Sequence, residues 1–181
     1  AYVRASTWAT YLEVVGEVAN YTSKSVDLIW LTAGFYNTTG QLLDIRQTKV
    51  WIGSLPPGGR SSFSIFLKQP EGWSYYDFDA VSYRFGGKAY PQIAVLGDSG
   101  RYNGSRYEVV GQLRNDHGSL VEDLTVVVTL YDSDGVLLAS DITFPGYGAG
   151  LQPGQTMLFK VSFITACADL SNSVASYRVQ V

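Results

Sequence analysis

The sequence predicts an all-β chain built as two tandem antiparallel β-sandwich domains, residues 1–92 and 93–181. Three observations predict it: a long internal near-repeat, apolar residues alternating as in strands with no sustained helical spacing, and turn residues recurring at short intervals.

The repeat defines the unit. YLEVVGEVAN (11–20) is matched 95 residues later by RYEVVGQLRN (106–115), so that Glu13, Val14, Val15, Gly16 and Asn20 fall on Glu108, Val109, Val110, Gly111 and Asn115. At the same displacement GFYNTTGQLL (34–43) falls on TLYDSDGVLL (129–138), pairing Tyr36 with Tyr131 and Gly40 with Gly135. Further on, LPPG (55–58) answers LQPG (151–154), Phe63 answers Phe159, and SYR at 82–84 answers SYR at 176–178. Between the copies, YPQIAVLGDSGRYNGS (90–105) breaks the pattern with Pro91, three glycines and Asn103. It reads as a short, stiff junction whose Ile93–Leu96 pack between the copies.

Within a copy the period is two. In VEDLTVVVTLYD, Leu124, Val126, Val128 and Leu130 share one face, and Val127, Thr129 and Tyr131 the other. NTTG, LPPGG, FGG, SDG and PGYGAG then cut each copy into about five to seven short strands. A composition of 46% hydrophobic residues over 181 positions supplies apolar material for two cores.

Composition also excludes classes of function. A net charge of -3 without runs of like charge leaves no footprint for nucleic acid or an anionic membrane surface. No apolar stretch is long enough for direct membrane insertion, and AYVRASTWAT lacks the charged start and apolar centre of an export signal. The single cysteine, Cys167, cannot form a disulfide within the chain or build a thiolate metal cluster, and it reads as a small apolar residue rather than a nucleophile. No cofactor is expected.

The order G-x-x-x-N, an apolar strand closing on a Tyr-Asp/Asn turn with glycine, then L-x-P-G and an alternating strand opening at Phe, resembles the bacterial and archaeal FxLYD domain. The second copy carries it as Val128-Thr129-Leu130-Tyr131-Asp132 and the first as Ala33-Gly34-Phe35-Tyr36-Asn37, over about 75 residues each. The resemblance implies immunoglobulin-like sandwiches, an exported or cell-envelope setting, and no catalytic residues to carry over.

Several residues invite a functional reading. Asp132 and Asp134 before Gly135 look like the opening of a calcium loop, but no glutamate follows at the required spacing and the sister copy has Asn37, Thr38, Thr39 and Gly40 there. A hairpin turn explains both copies. His117, the sole histidine, stands where the other copy has a hydroxyl residue and reads as a solvated loop residue; adjacent Asp116 alone does not make it a base. Glu13 and Glu108 read as edge-strand charges, and Asn20 and Asn115 as turn residues bonded to backbone. Asn20, Asn37 and Asn103 each open an N-x-S/T triplet, a mild excess that matters only in a host able to glycosylate.

The least routine segment is QPEGWSYYDFD (69–79), read as a loop, whose Trp73, Tyr75, Tyr76 and Phe78 have no rings opposite them in FITACADLSNS of the second copy. Two readings stay open: the rings form a contact for a sugar or a protein, or they cover the edge of their own thin domain. The functional expectation is a non-catalytic interaction or spacer module of an exported or cell-envelope protein, with a protein or glycan partner at the cell surface. The alternative is a carbohydrate-binding module using loop 69–79.

Overall fold

In the computed structural model, residues 2–8, 10–85, 92–163, 170 and 173–181 are described. The described residues contain strands and turns and no helix, and every strand pair is antiparallel. Among the described residues no helix is long and apolar enough to cross a membrane. The chain divides into two units, Ala1–Gly87 and Lys88–Val181.

The first unit holds β1 (Tyr2–Trp8), β2 (Tyr11–Ala19), β3 (Val26–Asn37), β4 (Leu42–Lys49), β5 (Ser54–Leu55), β6 (Arg60–Lys68) and β7 (Trp73–Phe85). One sheet runs β1-β2-β6; in the other β3 pairs with β4, with short β5 and with β7. Their inward residues form one buried cluster: Leu12 and Val14 from β2, Phe63, Ile65 and Leu67 from β6, and Ile29, Leu31, Ala33 and Phe35 from β3. Two sheets sharing one apolar core make a sandwich.

The second unit repeats this plan with β8 (Ile93–Tyr102), β9 (Tyr107–Asn115), β10 (Val126–Tyr131), β11 (Leu137–Thr143), β12 (Thr156–Phe163) and β13 (Ser176–Gln180). Its sheets run β8-β9-β12 and β11-β10-β13 around Val109, Leu113, Val126, Val128, Leu130, Phe159, Val161 and Phe163. Even the small β5 has its counterpart, since Val26↔Leu55 in the first unit becomes the isolated bridge Val121↔Leu151 in the second. Both units also place a register shift at the same step of the central strand, Phe35/Tyr36 and Leu130/Tyr131.

Two details show why the repeated residues recur. Phe63 pairs with Gly16 and Phe159 with Gly111; a Cβ on Gly111 would fall 2.6 Å from the Phe159 ring and 2.7 Å from the Gly97 carbonyl. Glycine there lets a buried ring lie across the neighbouring strand. Asn20 and Asn115 are buried and bond identically: the amide of each donates to two carbonyls, Lys24 at 2.8 Å and Leu55 at 2.9 Å for Asn20, Ser119 at 2.9 Å and Leu151 at 2.7 Å for Asn115. Each side-chain oxygen accepts a backbone N–H two residues on, from Thr22 or His117. The backbone carbonyl of each then accepts from the glycine of the L-x-P-G turn, Gly58 or Gly154, at 2.8 Å. One asparagine per unit thus fastens the exit of the second strand to that turn.

Three expectations are corrected. The stretch taken for a junction is largely β8, paired along its length with β9 inside the second unit, so Ile93–Leu96 belong to that sheet. Glu13 and Glu108 stand on β2 and β9, the middle strands of their sheets, and not on edges. The two SYR triplets are not equivalent: Tyr131 pairs with Ser176, whereas its counterpart Tyr36 pairs with Tyr75, and Arg84 lies opposite Asp27 at the start of β3. The structural partners of Tyr75, Tyr76, Asp77 and Phe78 are therefore Ser176, Tyr177, Arg178 and Val179, not part of FITACADLSNS.

Candidate functional site

Alternation along β3 turns Leu31, Ala33 and Phe35 into the core and leaves Trp30, Thr32, Gly34 and Tyr36 on the outward face. The register arranges their neighbours in rows across β4, β3 and β7: Lys49, Trp30 and Val81; Gln47, Thr32 and Asp79; Ile45, Gly34 and Asp77; Leu42, Tyr36 and Tyr75. Tyr36 leans back over Gly34, whose Cβ, if present, would sit 2.7 Å from the Tyr36 hydroxyl oxygen. Tyr75 stacks beside it, ring centroids 5.1 Å apart and planes 12° from parallel. Thr32, Gly34, Tyr36, Leu42, Ile45, Asp77, Phe78 and Asp79 line a groove of 170 Å³ in front of the pair. At its far end Gln47 Nε2 donates to Thr32 Oγ1 at 3.1 Å, and Lys49 Nζ lies 4.6 Å above the Trp30 ring.

The four aromatic residues singled out from the sequence lie on β7, a strand and not a loop. A bulge lets Asn37 pair with Trp73 while Ser74 is passed over, which brings Trp73 to the inner face with Tyr76 and Phe78. All three pack on the first core; Phe78 meets Phe63 edge-on at 5.4 Å and Tyr76 at 5.5 Å, and burial raises the Tyr76 phenol above its ordinary pKa. These rings thicken a thin sandwich. Only Tyr75, 45% exposed, turns outward. Sequence reading missed Tyr36, Gly34, Asp77 and Asp79; the available signal was the period of two in YYDF and D that places Tyr75, Asp77 and Asp79 on one face.

The corresponding face of the second unit is closed. Val127 and Thr129 are 0% exposed and Ser140 is also buried, with the Thr129 and Ser140 hydroxyls 3.4 Å apart. Arg178, in the place of Asp77, lies with its guanidinium 5.7 Å from the Tyr131 ring. A second surface in this unit, the outer side of β8-β9-β12, is a broad shallow depression of 680 Å³ bordered by Gly97, Ser99, Val110, Gln112, Leu158 and Lys160.

The remaining candidates resolve as follows. Asp132 Oδ1 accepts from Asp134 N and Val136 N, as Asn37 Oδ1 accepts from Thr39 N and Gln41 N, and Gly135 and Gly40 close both turns at φ 75° and 81°. The hairpin reading is borne out. Among the described residues no group of three or more His, Cys, Asp or Glu could hold a metal ion. His117 is exposed, and the Asp116 carboxylate beside it is held by Arg114 at 2.5 and 3.1 Å, whose hydrogen bonds lower the Asp116 pKa. Glu13 accepts from Ser64 at 3.1 Å; Glu108 accepts from Ser162 at 3.4 Å and pairs with Lys160 at 2.6 Å, and the Lys160 hydrogen bond holds the Glu108 carboxyl below its usual range. Cys167 lies outside the described residues.

No family model matches the sequence, and no curated protein is significantly similar to it. Among solved structures, an exo-chitosanase of Amycolatopsis orientalis is 15% identical at a TM-score of 0.31, matching 98% of this chain and 25% of its own. A β-glucuronidase of Bacteroides uniformis is 12% identical at a TM-score of 0.32, over 90% of this chain and 23% of its own. A red sea bream transglutaminase is 12% identical at 0.27, over 91% and 27%. The chain spans about a quarter of these proteins, and at this level of likeness nothing about activity or ligand transfers.

Proposed function

We propose that the chain is a non-catalytic interaction module, two FxLYD-like sandwiches that space and present a binding surface in an exported or cell-envelope protein. The observation that carries this reading is the matched use of polar side chains in both units. Asn20 and Asn115 secure a turn, and Asn37 and Asp132 shape a hairpin; beside His117, the Asp116 carboxylate is bonded to Arg114. The test joins two measurements on the purified chain and its parent. External protease should cleave the module on intact cells, and a panel of chromogenic esters and glycosides should show no turnover. Turnover abolished by His117→Ala would overturn the non-catalytic reading, and full protection from protease would overturn the location.

A second reading has one observation in its favour. The Tyr36 ring, backed by Tyr75 in a parallel stack, borders a groove that also holds two aspartates, an arrangement suited to a sugar. It moves the carbohydrate alternative from a loop at 69–79 to the face of a sheet.

A further inference from the structure

Comparing the two units at one place in the fold identifies what the first unit lacks. In the second, Tyr131 has a cation supplied by its own chain, the Arg178 guanidinium 5.7 Å from the ring. In the first, the same tyrosine, Tyr36, is present and the arginine position is Asp77, with Asp79 two residues further on the same face. Neither aspartate belongs to an ion pair among the described residues, and both are exposed. Asp77 Oδ1 accepts from Phe78 N at 2.8 Å, which leaves its other oxygen for a donor from outside. Where the second unit buries Thr129 and Ser140, the first has Gly34, over which the Tyr36 ring lies, and exposed Ile45, so a groove remains beside that ring.

We propose that the outward face of β4-β3-β7 binds one pyranose ring carrying a free ammonium group, an amino-sugar unit of a polysaccharide. The apolar face of the ring packs on Tyr36, which Tyr75 backs by stacking, its edge meets Leu42 and Ile45, its ammonium sits between Asp77 and Asp79, and its hydroxyls reach Thr32. The groove of 170 Å³ admits a single ring, and the uncompensated pair of carboxylates selects a cationic one over a neutral one. A lysine side chain would satisfy the charge but offers no flat face to the Tyr36 ring. This inference rests on the module being a binder and names the class of ligand.

The test titrates the full chain with a glucosamine tetramer, an N-acetylglucosamine tetramer and tetralysine, following backbone amide resonances. The glucosamine tetramer should give saturable shifts on β3 and β7 around Tyr36, Tyr75 and Asp77, with none at Tyr131 or Arg178. Tyr36→Ala should weaken binding about tenfold or more. Asp77→Asn combined with Asp79→Asn should erase the preference over the acetylated tetramer while tryptophan fluorescence reports an intact fold. Absence of saturable shifts overturns the proposal. So does tetralysine binding equally tightly and unaffected by Tyr36→Ala, which would make the aspartates edge-strand charges that repel other strands. Shifts accompanied by new reducing ends would uphold the site and overturn the non-catalytic reading, whereas missing shifts leave that reading in place.

Discussion

Replacing Asn20 with alanine should be among the most damaging single changes in the first unit. The substitution strips two donated bonds, to Leu55 O at 2.9 Å and Lys24 O at 2.8 Å, and two accepted, from Thr22 N at 2.9 Å and Thr22 Oγ1 at 2.8 Å. The Leu55 bond is buried, and a buried carbonyl losing a partner costs about 1–3 kcal/mol; the three part-buried bonds add about 0.5–1 kcal/mol each. The sum is about 4 kcal/mol. For a unit of this size that lowers Tm by about 16–32 °C. All four tryptophans, Trp8, Trp30, Trp51 and Trp73, fall in the first unit, so thermal unfolding followed by tryptophan fluorescence reads that unit alone. Asn20→Asp should be worse than Asn20→Ala, because it turns two donors into lone pairs aimed at carbonyls. Thr22→Ala removes a hydroxyl that reaches Asn20 Oδ1 and Lys24 O, each at 2.8 Å, and accepts from Lys24 N at 3.4 Å; most of these contacts are exposed, and the change should cost about 1 kcal/mol. An Asn20→Ala midpoint no lower than that of Thr22→Ala would refute the reasoning.

Further outcomes follow from the pairs already described. Lys160 holds the Glu108 carboxyl below its usual range, so the pair's contribution to stability is present above the unfolded carboxylate pKa and is lost as pH falls through the lowered folded value; Lys160→Met should flatten the acid limb of unfolding midpoint against pH. The Tyr177 phenol is pushed up to about 12 by burial and by its 2.5 Å hydrogen bond to Asp98, so its contribution is full below the unfolded phenol pKa near 10 and disappears as pH rises through about 12. Ultraviolet titration of phenolate should show this tyrosine ionising late, and Asp98→Asn should bring it earlier. A methyl group at Gly111 meets the Gly97 carbonyl and a buried Phe159 ring, so Gly111→Ala should cost about 1–3 kcal/mol in chemical denaturation, whereas Gly34→Ala meets the movable ring of Tyr36 and should cost under about 1 kcal/mol.

Much of the fold was legible because duplication repeats constraints rather than composition. Gly16 and Gly111 recur because each faces a phenylalanine, and Asn20 and Asn115 because each closes the same set of bonds. The hairpins at Asn37 and Asp132 were readable for the same reason: two different side chains present the same acceptor oxygen. The final strand was not readable. The SYR triplets match in letters, yet the true register puts Tyr177 with Tyr76, and a displacement wrong by an odd number of residues exchanges the two faces of a strand. Register there depends on pairing with β3 and on the bulge at Trp73, neither of which leaves a local signature. Four residues separate β6 from β7, Gln69 to Gly72, while the second unit uses a longer connection from β12 to β13, and apparent alignment slid across that difference. The candidate site suffered from the same error. Trp73, Tyr76 and Phe78 drew notice as rings, but alternation turns Tyr76 and Phe78 inward and the bulge brings Trp73 in with them, and the exposed surface is organised by Gly34 and Tyr36 on a different strand.

The burial of the Asn20 amide has a practical consequence for producing the protein. Asn20-Tyr21-Thr22 is an acceptor triplet, and in a eukaryotic secretory host it is presented to the glycosylation machinery before the chain folds. A glycan replaces one of the two amide hydrogens that Lys24 and Leu55 require, and it must occupy space inside the first unit. Modified chains are then those least able to mature, while Asn37 and Asn103, on exposed turns, carry sugar without such a conflict. Yield in such a host should rise on Thr22→Ala, a change that gives up one rim hydroxyl and spares the asparagine.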